Sequence, residues 1–172
     1  MTPLAFGRGR LRPTHNLTAF DCGVEVLNAW LRDYAIHALR SGTAHTVVWT
    51  LPDPERVVAY YAISATALAA EEVPASWRAG GGPQPTYLIA KLALDRSLQG
   101  RGLGGELLNQ ALRHIVRLAD SGSGRFIAVD PIDDAAAAFY AHHGFVANSD
   151  GGRMIRKVAS ARAALATPAE GP

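Results

Sequence analysis

The sequence predicts an α/β (α+β) domain with a mixed, mostly antiparallel central sheet flanked by helices, and two observations support this. Thr43 to Leu51 and Arg56 to Leu68 are rich in β-branched and aromatic residues, which predicts a hairpin. Further on, the apolar run Tyr87 to Asp95 is followed by the glycine-rich stretch Ser97 to Gly105. An amphipathic helix is then predicted to begin at Leu103. The sheet is therefore expected to surround one central strand–turn–helix unit.

The first part of the chain predicts an edge strand and a long helix before the hairpin. Leu4 to Leu11 favours a strand, and a helix is expected from about Val24 to Leu39. The stretch Asp21-Cys22-Gly23 offers an N-cap for this helix, and Gly42 suits its end. The predicted buried face consists of Leu27, Trp30, Leu31, Tyr34, Ala35 and Ala38.

The second part predicts a long loop and a final set of shorter elements. Glu71 to Pro85 carries three consecutive glycines and is expected to form a loop with one helical turn around Trp77. A strand is predicted at Arg125 to Val129, followed by a helix that is capped by Asp133 and ends at His142. Two short strands complete residues 1–158, the predicted single domain, and the alanine-rich tail 159–172 is expected to be disordered.

Composition limits the class of protein to which the chain can belong. Its 172 residues can bury a core, and 48% hydrophobic residues with a formal net charge of +2 are ordinary for a globular protein. The apolar stretch Val57 to Ala70 is shorter than a membrane-spanning helix, and no signal peptide is apparent. A lone cysteine, Cys22, excludes an internal disulfide and fits a reducing compartment. We therefore expect a cytoplasmic protein without a membrane segment.

The glycine-rich turn has a competing interpretation as a dinucleotide site. Gly100 to Gly105 matches G-x-G-x-x-G, and Asp130 follows the next strand, where a dinucleotide fold places its ribose-binding acid. Such a fold begins with this motif and continues with several βα units, whereas here a helix and a hairpin come first. The triphosphatase pattern G-x-x-x-x-G-K-[ST] is absent from the sequence. A turn before a helix still directs N–H groups and the helix dipole at one place, which suits a phosphate or pyrophosphate.

Two motifs resemble those of the GNAT family of N-acetyltransferases. The turn reads Gln99-x-x-Gly102-x-Gly104, similar to the family's Q/R-x-x-G-x-G/A turn, and Phe139-Tyr140 with Gly144-Phe145 is similar to its F-Y-x-x-x-G-F. The resemblance extends from Leu4 to Val158. It implies a GNAT fold that binds acetyl-CoA where the central strands splay apart.

More narrowly, the chain resembles the GNAT toxins of bacterial type II toxin–antitoxin systems. The likeness lies in Phe20-Asp21-Cys22-Gly23 with Leu27-Asn28-x-Trp30-Leu31, in Leu92 to Gly100, and in Ala138-Phe139-Tyr140 with Gly144-Phe145. It implies acetylation of the α-amino group of aminoacyl-tRNA, a block of translation, a ribbon-helix-helix antitoxin as partner and a homodimer. Two alternatives stay open: a GNAT enzyme acting on a small amine or protein N-terminus, and a non-catalytic CoA-binding partner in a DNA-binding regulatory complex.

The resemblance also implies which residues hold acetyl-CoA. Backbone N–H groups of the turn would bind the pyrophosphate, and the end of the central strand would pair with the pantetheine arm. The alternative is an ordinary strand-to-helix turn beside core side chains. The implied cofactor-binding residues are Leu92, Ala93, Leu94, Gln99, Gly100, Arg101, Gly102, Leu103, Gly104, Gly105 and Phe139.

Tyr140 is the candidate general acid for the departing thiolate, by its place in the motif. A phenol with a pKa of about 10 stays protonated at neutral pH. The alternative is a core aromatic residue at helical spacing. No general base stands out among Asp95, Asp130, Asp133 and Asp134. This favours an α-amine acceptor with a pKa of about 8 over a lysine acceptor, because the α-amine loses its proton more readily.

Basic residues supply candidate contacts to the phosphates of tRNA. Lys91 interrupts the central strand beside the expected reaction centre, and Arg78 lies in the adjacent loop, so these two are favoured for tRNA binding. No metal site is expected, because the histidines lack a second ligand at metal-binding spacing. The further candidates for phosphate contacts are Arg8, Arg10, Arg12 and Arg40.

Overall fold

The structure is a computed structural model that describes residues 5–52, 55–148 and 151–166. In chain order its strands and helices are β1 (Gly7–Arg10), α1 (Glu25–Asp33), α2 (Ala35–Ser41), β2 (His45–Leu51), β3 (Arg56–Leu68), β4 (Gln84–Leu94), α3 (Leu103–Ser121), β5 (Phe126–Val129), α4 (Asp134–His142), β6 (Val146–Ala147), β7 (Met154–Lys157) and α5 (Val158–Ala166). The strands form one mixed sheet in the order β1-β2-β3-β4-β5-β7-β6. β4 and β5 pair in parallel, whereas β1–β2, β2–β3, β5–β7 and β6–β7 are antiparallel pairs. The predicted mixed, mostly antiparallel sheet flanked by helices is confirmed.

The chain divides into two compact units, and the first comprises the described parts of Met1–Ser64 and Ala90–Leu108. Here β1, β2 and β3 form the predicted edge strand and hairpin, and β3 has the predicted bounds. Leu4, Asp53 and Pro54, which belong to the predicted edge strand and turn, lie outside the described residues. The core cluster of this unit consists of Leu11, Phe20, Cys22, Leu31, Ala35, Val48, Val57, Tyr60 and Ala93.

The single helix predicted from Val24 to Leu39 is wrong, because the chain forms two helices instead. Tyr34 has φ −124° and ψ −24°, outside the helical region, so α1 ends there and α2 begins with the next residue. The break turns the Tyr34 side chain outward, and it is 60% exposed rather than part of the buried face. The predicted cap is also wrong, because Val24 occupies the N-cap position without a side-chain hydrogen bond. Gly42 ends α2 in the left-handed conformation, as predicted.

The second unit comprises the described parts of Ala65–Ile89 and Asn109–Pro172. Its sheet joins the first part of β4 to β5, β7 and β6. The helical turn expected around Trp77 is confirmed as the 3₁₀ turn Ala75–Trp77. Its buried cluster consists of Leu68, Val73, Phe126, Ala128 and Ile155, against which Trp77 and Leu88 pack.

The tail does not begin at residue 159 as predicted, because α5 follows β7 directly. Val158 and Ala161 of α5 are buried, and Arg162 forms an ion pair of 2.6 Å with Asp120. High alanine content favours a helix wherever one face is covered in this way. Residues 167–172 of the predicted tail lie outside the described residues. No helix in the described part of the chain is long and apolar enough to cross a membrane.

Candidate functional site

A glycine-rich turn joins β4 to α3 within the first unit. The chain leaves β4 at Leu94, forms the 3₁₀ turn Arg96–Leu98 and enters α3 at Leu103. Gly100 and Gly102 have φ angles of +77° and +75°, in the left-handed region that favours glycine. A Cβ atom on either residue would meet no other atom within 4 Å. The two glycines therefore reverse the chain and leave the space beside it open.

The backbone N–H groups of this turn lack carbonyl partners. Within the described residues, no backbone carbonyl accepts a hydrogen bond from the N–H of Gly100, Arg101 or Gly102. The N–H groups of 103–105 belong to the first turn of α3 and have no acceptor inside the helix. The N–H of Gln99, in contrast, already donates to the Arg96 carbonyl at 3.3 Å. Together with the helix dipole, the N–H groups of 100–105 make a suitable site for an anion such as a pyrophosphate.

Asp95 fixes the start of this turn through a buried carboxylate. Its Oδ1 accepts hydrogen bonds from the N–H and the hydroxyl of Ser97, at 3.0 and 2.7 Å. Its Oδ2 accepts from the N–H of Asp21 at 3.0 Å and lies 3.6 Å from Nη2 of Arg56. Burial alone would raise the pKa of Asp95, but these hydrogen bonds and the Arg56 charge outweigh it and lower the pKa. Asp95 is therefore a charged anchor for the turn.

The Gln99 side chain ties the far side of the turn to the segment before α1. Its Nε2 donates to the carbonyl oxygens of Cys22 and Leu94, at 2.8 and 2.9 Å. In that segment Asn28 accepts from the N–H of Cys22 at 2.9 Å and donates to Asp21 at 3.0 Å. Asp21 also accepts from the N–H of Gly23 at 2.8 Å, so its carboxylate is not available to cap α1. The Cys22 thiol is buried, and burial raises its pKa.

The last residues of β4 place their side chains on alternate sides of the strand. Ala93 is buried in the core cluster of the first unit, whereas Leu92 and Leu94 are half-buried. Lys91 is also half-buried, and its Nζ lies 5.3 Å from the ring centroid of Trp30 and 3.2 Å from the Ala90 carbonyl oxygen. The predicted tRNA contact Lys91 thus lies beside an aromatic ring at the end of the strand that leads into the turn.

Tyr140 occupies a packed position on α4 in the second unit. The Asp133 side chain caps this helix, as predicted, by accepting from the N–H of Ala136 at 2.8 Å. Tyr140 is 8% exposed, and its ring meets Phe139 and Phe145 edge-on at centroid distances of 5.2 and 5.5 Å. Burial raises the pKa of Tyr140 to about 12. The phenol is therefore firmly protonated at neutral pH.

Several of the predicted phosphate contacts are already engaged by other groups. Arg8 pairs with Glu106 in the first turn of α3, and Arg12 pairs with Glu55 at 2.8 Å. The exposed Arg78, in the second unit, donates through Nε to the Val73 carbonyl at 3.0 Å.

The acid that a dinucleotide fold would require is also engaged. Asp130 forms a two-pronged ion pair with Arg153, at 2.7 and 2.9 Å. Among the described residues, no group of three or more histidine, cysteine or acidic side chains is placed to hold a metal ion.

The sequence patterns did not reveal the network that holds the turn. The sequence offers Asp95 as one of several possible bases, whereas in the structure its carboxylate anchors the turn. Asn28 appeared only as part of a motif. A signal was present in Asp95-x-Ser97, because an aspartate followed two residues later by serine is typical of a turn in which the carboxylate accepts from the backbone.

The fold and the turn together define an acetyltransferase scaffold, and comparison with known proteins supports this assignment. Residues 11–145 match the acetyltransferase (GNAT) family. This chain therefore belongs to the GNAT family. It is 36% identical over 137 residues to a tRNA-acetylating toxin of Mycobacterium tuberculosis H37Rv, which covers 79% of this chain and 81% of that protein.

Solved structures with this fold include bacterial toxins. AtaT complexed with acetyl-methionyl-tRNAfMet superposes with a TM-score of 0.86 at 20% identity, covering 93% of this chain and 99% of AtaT. A tyrosine-to-phenylalanine mutant of AtaT, bound to the C-terminus of the antitoxin AtaR and acetyl-CoA, has a TM-score of 0.81 at 21% identity. That comparison covers 94% of this chain and 99% of the mutant. At 20% and 21% sequence identity, the similarity to these structures establishes the fold of this chain.

Proposed function

We propose that this chain is a cytoplasmic acetyl-CoA-dependent N-acetyltransferase that acetylates the α-amino group of aminoacyl-tRNA and thereby blocks translation. The observation that carries the proposal is the turn at 100–105, whose N–H groups lack backbone acceptors, in a chain 36% identical to a tRNA-acetylating toxin. The glycine turn accounts for the donor substrate, and the relative accounts for the acceptor.

The residues at the turn fit the pyrophosphate of acetyl-CoA. Gly100, Arg101, Gly102, Leu103, Gly104 and Gly105 supply backbone N–H groups, and the open space beside Gly100 and Gly102 admits the ligand. The backbone of Leu92 to Leu94 pairs with the pantetheine arm as an added strand, and an N–H there stabilises the oxyanion. Gln99 contributes by holding the turn through its side chain.

The proposed reaction forms an N–C bond and breaks the C–S bond of the thioester. The neutral α-amine attacks the carbonyl carbon, loses a proton to solvent and displaces the thiolate of CoA. The raised pKa keeps the proton on Tyr140, but a phenol with a pKa of about 12 is a weaker acid than a thiol with a pKa of about 8.5. Tyr140 therefore donates a hydrogen bond to the sulfur while the C–S bond breaks, and solvent supplies any net proton. Phe139 packs beside Tyr140 and is assigned a cofactor contact from the family motif alone.

The partners follow from the same assignment. Arg78 and Lys91 are the proposed contacts to tRNA phosphates. A ribbon-helix-helix antitoxin neutralises the toxin, and the toxin forms a homodimer. The structure of AtaT with the C-terminus of AtaR supports an antitoxin as partner.

Transfer of labelled acetyl groups tests the function directly. The purified chain is incubated with labelled acetyl-CoA and either charged tRNA, the same tRNA after deacylation, spermidine or a peptide. We expect label on the amino acid of charged tRNA and none on deacylated tRNA. Label on spermidine or the peptide alone would contradict the proposal and favour a different amine acceptor.

A further inference from the structure

One side of α1 carries apolar and aromatic residues that are not fully covered. Val26 and Trp30 lie about one turn apart in α1, and the N–H of Tyr34, the residue that ends the helix, donates to the Trp30 carbonyl at 2.9 Å. Val26 is 67% exposed and Tyr34 is 60% exposed, whereas Trp30 is half-buried. An exposed tyrosine and valine beside a half-buried tryptophan form a surface that can receive a flat ligand.

The middle of this surface is rigid. The Trp30 ring stacks on the buried Tyr60 ring, with centroids 5.9 Å apart and an angle of 10° between the planes. The Tyr60 hydroxyl donates to the Leu27 carbonyl at 2.8 Å, so the Tyr60 ring beneath Trp30 is fixed to α1. Lys91 brings a positive charge to within 5.3 Å of the Trp30 centroid. The surface therefore combines aromatic groups with a cation.

The direction of β4 relates this surface to the proposed reaction. The cofactor turn follows Leu94, so a pantetheine arm that pairs with Leu94 and then Leu92 runs backwards along β4. The next residue in that direction is Lys91, whose side chain lies against Trp30. The acceptor amine must approach the thioester end of the arm, and this surface is next to that end along the strand.

We propose that Trp30, Tyr34 and Lys91 form an acceptor platform that binds the 3′-terminal nucleotides of charged tRNA, a proposal that rests on the proposed function. Bases stack on aromatic side chains irrespective of sequence, and the ammonium group attracts the phosphates between them. Lys91 brings a cation to this apolar strip, which suits a nucleotide and its phosphate better than the apolar face of a partner helix.

Tyr34 provides the cleanest test, because its exposed side chain can be removed without opening the core. The KM for charged tRNA and the KM for acetyl-CoA are measured for the parent, Tyr34→Ala and Tyr34→Phe. We expect Tyr34→Ala to raise the KM for charged tRNA about tenfold through loss of stacking, while the KM for acetyl-CoA stays unchanged. Tyr34→Phe keeps an aromatic ring, so its KM for charged tRNA should equal that of the parent.

Lys91 has a matched control in the second unit. Lys157 lies 4.7 Å from the Trp77 centroid, and Trp77 stacks on Phe126 at 6.3 Å and 12°, which repeats the arrangement of Lys91, Trp30 and Tyr60. Lys91→Met and Lys157→Met therefore remove the same charge from the same kind of stack. We expect only Lys91→Met to raise the KM for charged tRNA.

Three outcomes would overturn the platform. Tyr34→Ala could retain the parent KM, the two lysine variants could raise it equally, or Tyr34→Ala could lose antitoxin binding alone, which would mark a protein-binding surface. A parent chain that acetylates no charged tRNA would overturn the proposed function and the platform together. An active parent with unaffected variants would overturn the platform only.

Discussion

The glycine turn and Tyr140 are held in place by opposite means. In the first unit, the turn depends on the buried carboxylate of Asp95 and the exposed side chain of Gln99, which bond to backbone groups around it. In the second unit, Tyr140 depends on ring contacts with Phe139 and Phe145. The first arrangement is a hydrogen-bond network, and the second is aromatic packing.

The difference follows from what each region has to offer a ligand. In the proposed reaction the turn keeps its N–H groups available for acetyl-CoA, so it has to be fixed through other groups, such as the Asp95 side chain. The proposed role of Tyr140 needs a free hydroxyl, so packing of its ring holds it instead. Under this proposal, each group is supported through atoms that it does not use for function.

Removing the Tyr140 hydroxyl should have the largest effect on activity. Tyr140→Phe keeps the ring contacts and deletes the hydrogen bond to the leaving sulfur, so we expect kcat to fall by about 10²- to 10⁴-fold. The unfolding midpoint should change little. Steady-state acetyl transfer and thermal unfolding measure the two quantities.

Tyr87→Phe is the control, because the Tyr87 hydroxyl donates to the Ser123 carbonyl at 2.8 Å and has no proposed catalytic role. If both variants lose activity equally, or if Tyr140→Phe remains fully active, the Tyr140 hydroxyl does not donate the proposed hydrogen bond to the leaving sulfur.

Neutralising Asp95 should weaken the turn and the protein together. Asp95→Asn replaces an acceptor oxygen with an NH₂ group that faces N–H donors, and we expect a loss of about 1–3 kcal/mol in unfolding free energy. Because the turn is then less well fixed, the Kd for acetyl-CoA should rise while Tyr140 remains in place. Calorimetry and urea unfolding test this.

The matched variant for Asp95 is Asp130→Asn, which breaks the more exposed pair with Arg153 and should cost about 0–1 kcal/mol. Equal acetyl-CoA affinity in Asp95→Asn and the parent would show that the network does not support the turn.

Acidification should destabilise both units through histidines. Burial, together with nearby positive charge, lowers the pKa of His15 and His45 in the first unit and of His143 in the second. The unfolded chain then binds more protons than the native chain as pH falls through about 6.5, so stability decreases in that direction. The thermal midpoint should be lower at pH 5.5 than at pH 7.5.

His15→Asn offers a control, since its amide oxygen can replace Nδ1 as the acceptor of the Arg12 N–H, which lies 3.0 Å away. The thermal midpoint of this variant should depend less steeply on pH than that of the parent. If the midpoint depends on pH as steeply as in the parent, His15 does not contribute to the loss of stability in acid.

The smallest effect on the protein is expected from substituting Thr46, a buried polar residue of the first unit that takes no part in the hydrogen-bond network of Asp95 and Gln99. Thr46 is fully buried, and its Oγ1 has no hydrogen-bond partner among the described residues. Thr46→Val removes this unsatisfied hydroxyl with little change of shape, so we expect a gain of about 1 kcal/mol. Activity should be unchanged. A destabilised variant in chemical unfolding would indicate that the hydroxyl does have a partner.

The sequence predicted the bounds of a helix or strand well wherever a single local preference of the chain determines them. The bounds of β3, the Asp133 cap and the glycine end of α2 follow from β propensity, capping chemistry and the left-handed preference of glycine. The amphipathic helix expected from Leu103 is α3, and Leu107, Ala111 and Ile115, which share one of its faces, are buried.

Features that depend on distant parts of the chain were not predictable in the same way. The break at Tyr34 is not marked by proline or glycine, and α5 required a covered face that periodicity in the tail did not reveal. The Gln99 side chain reaches carbonyls 77 and 5 residues away in sequence, which local patterns do not encode. The glycines of the turn could be recognised, but the network that holds them could not.

Cys22 has a practical consequence for studying this protein in solution. It is the sole cysteine of the chain, and its thiol is buried with a raised pKa, so it should react slowly with maleimides. A cysteine introduced at an exposed position such as Val26 would then carry a fluorophore at a single defined point. Dye emission could report ligand arrival in real time, without removing the natural thiol first.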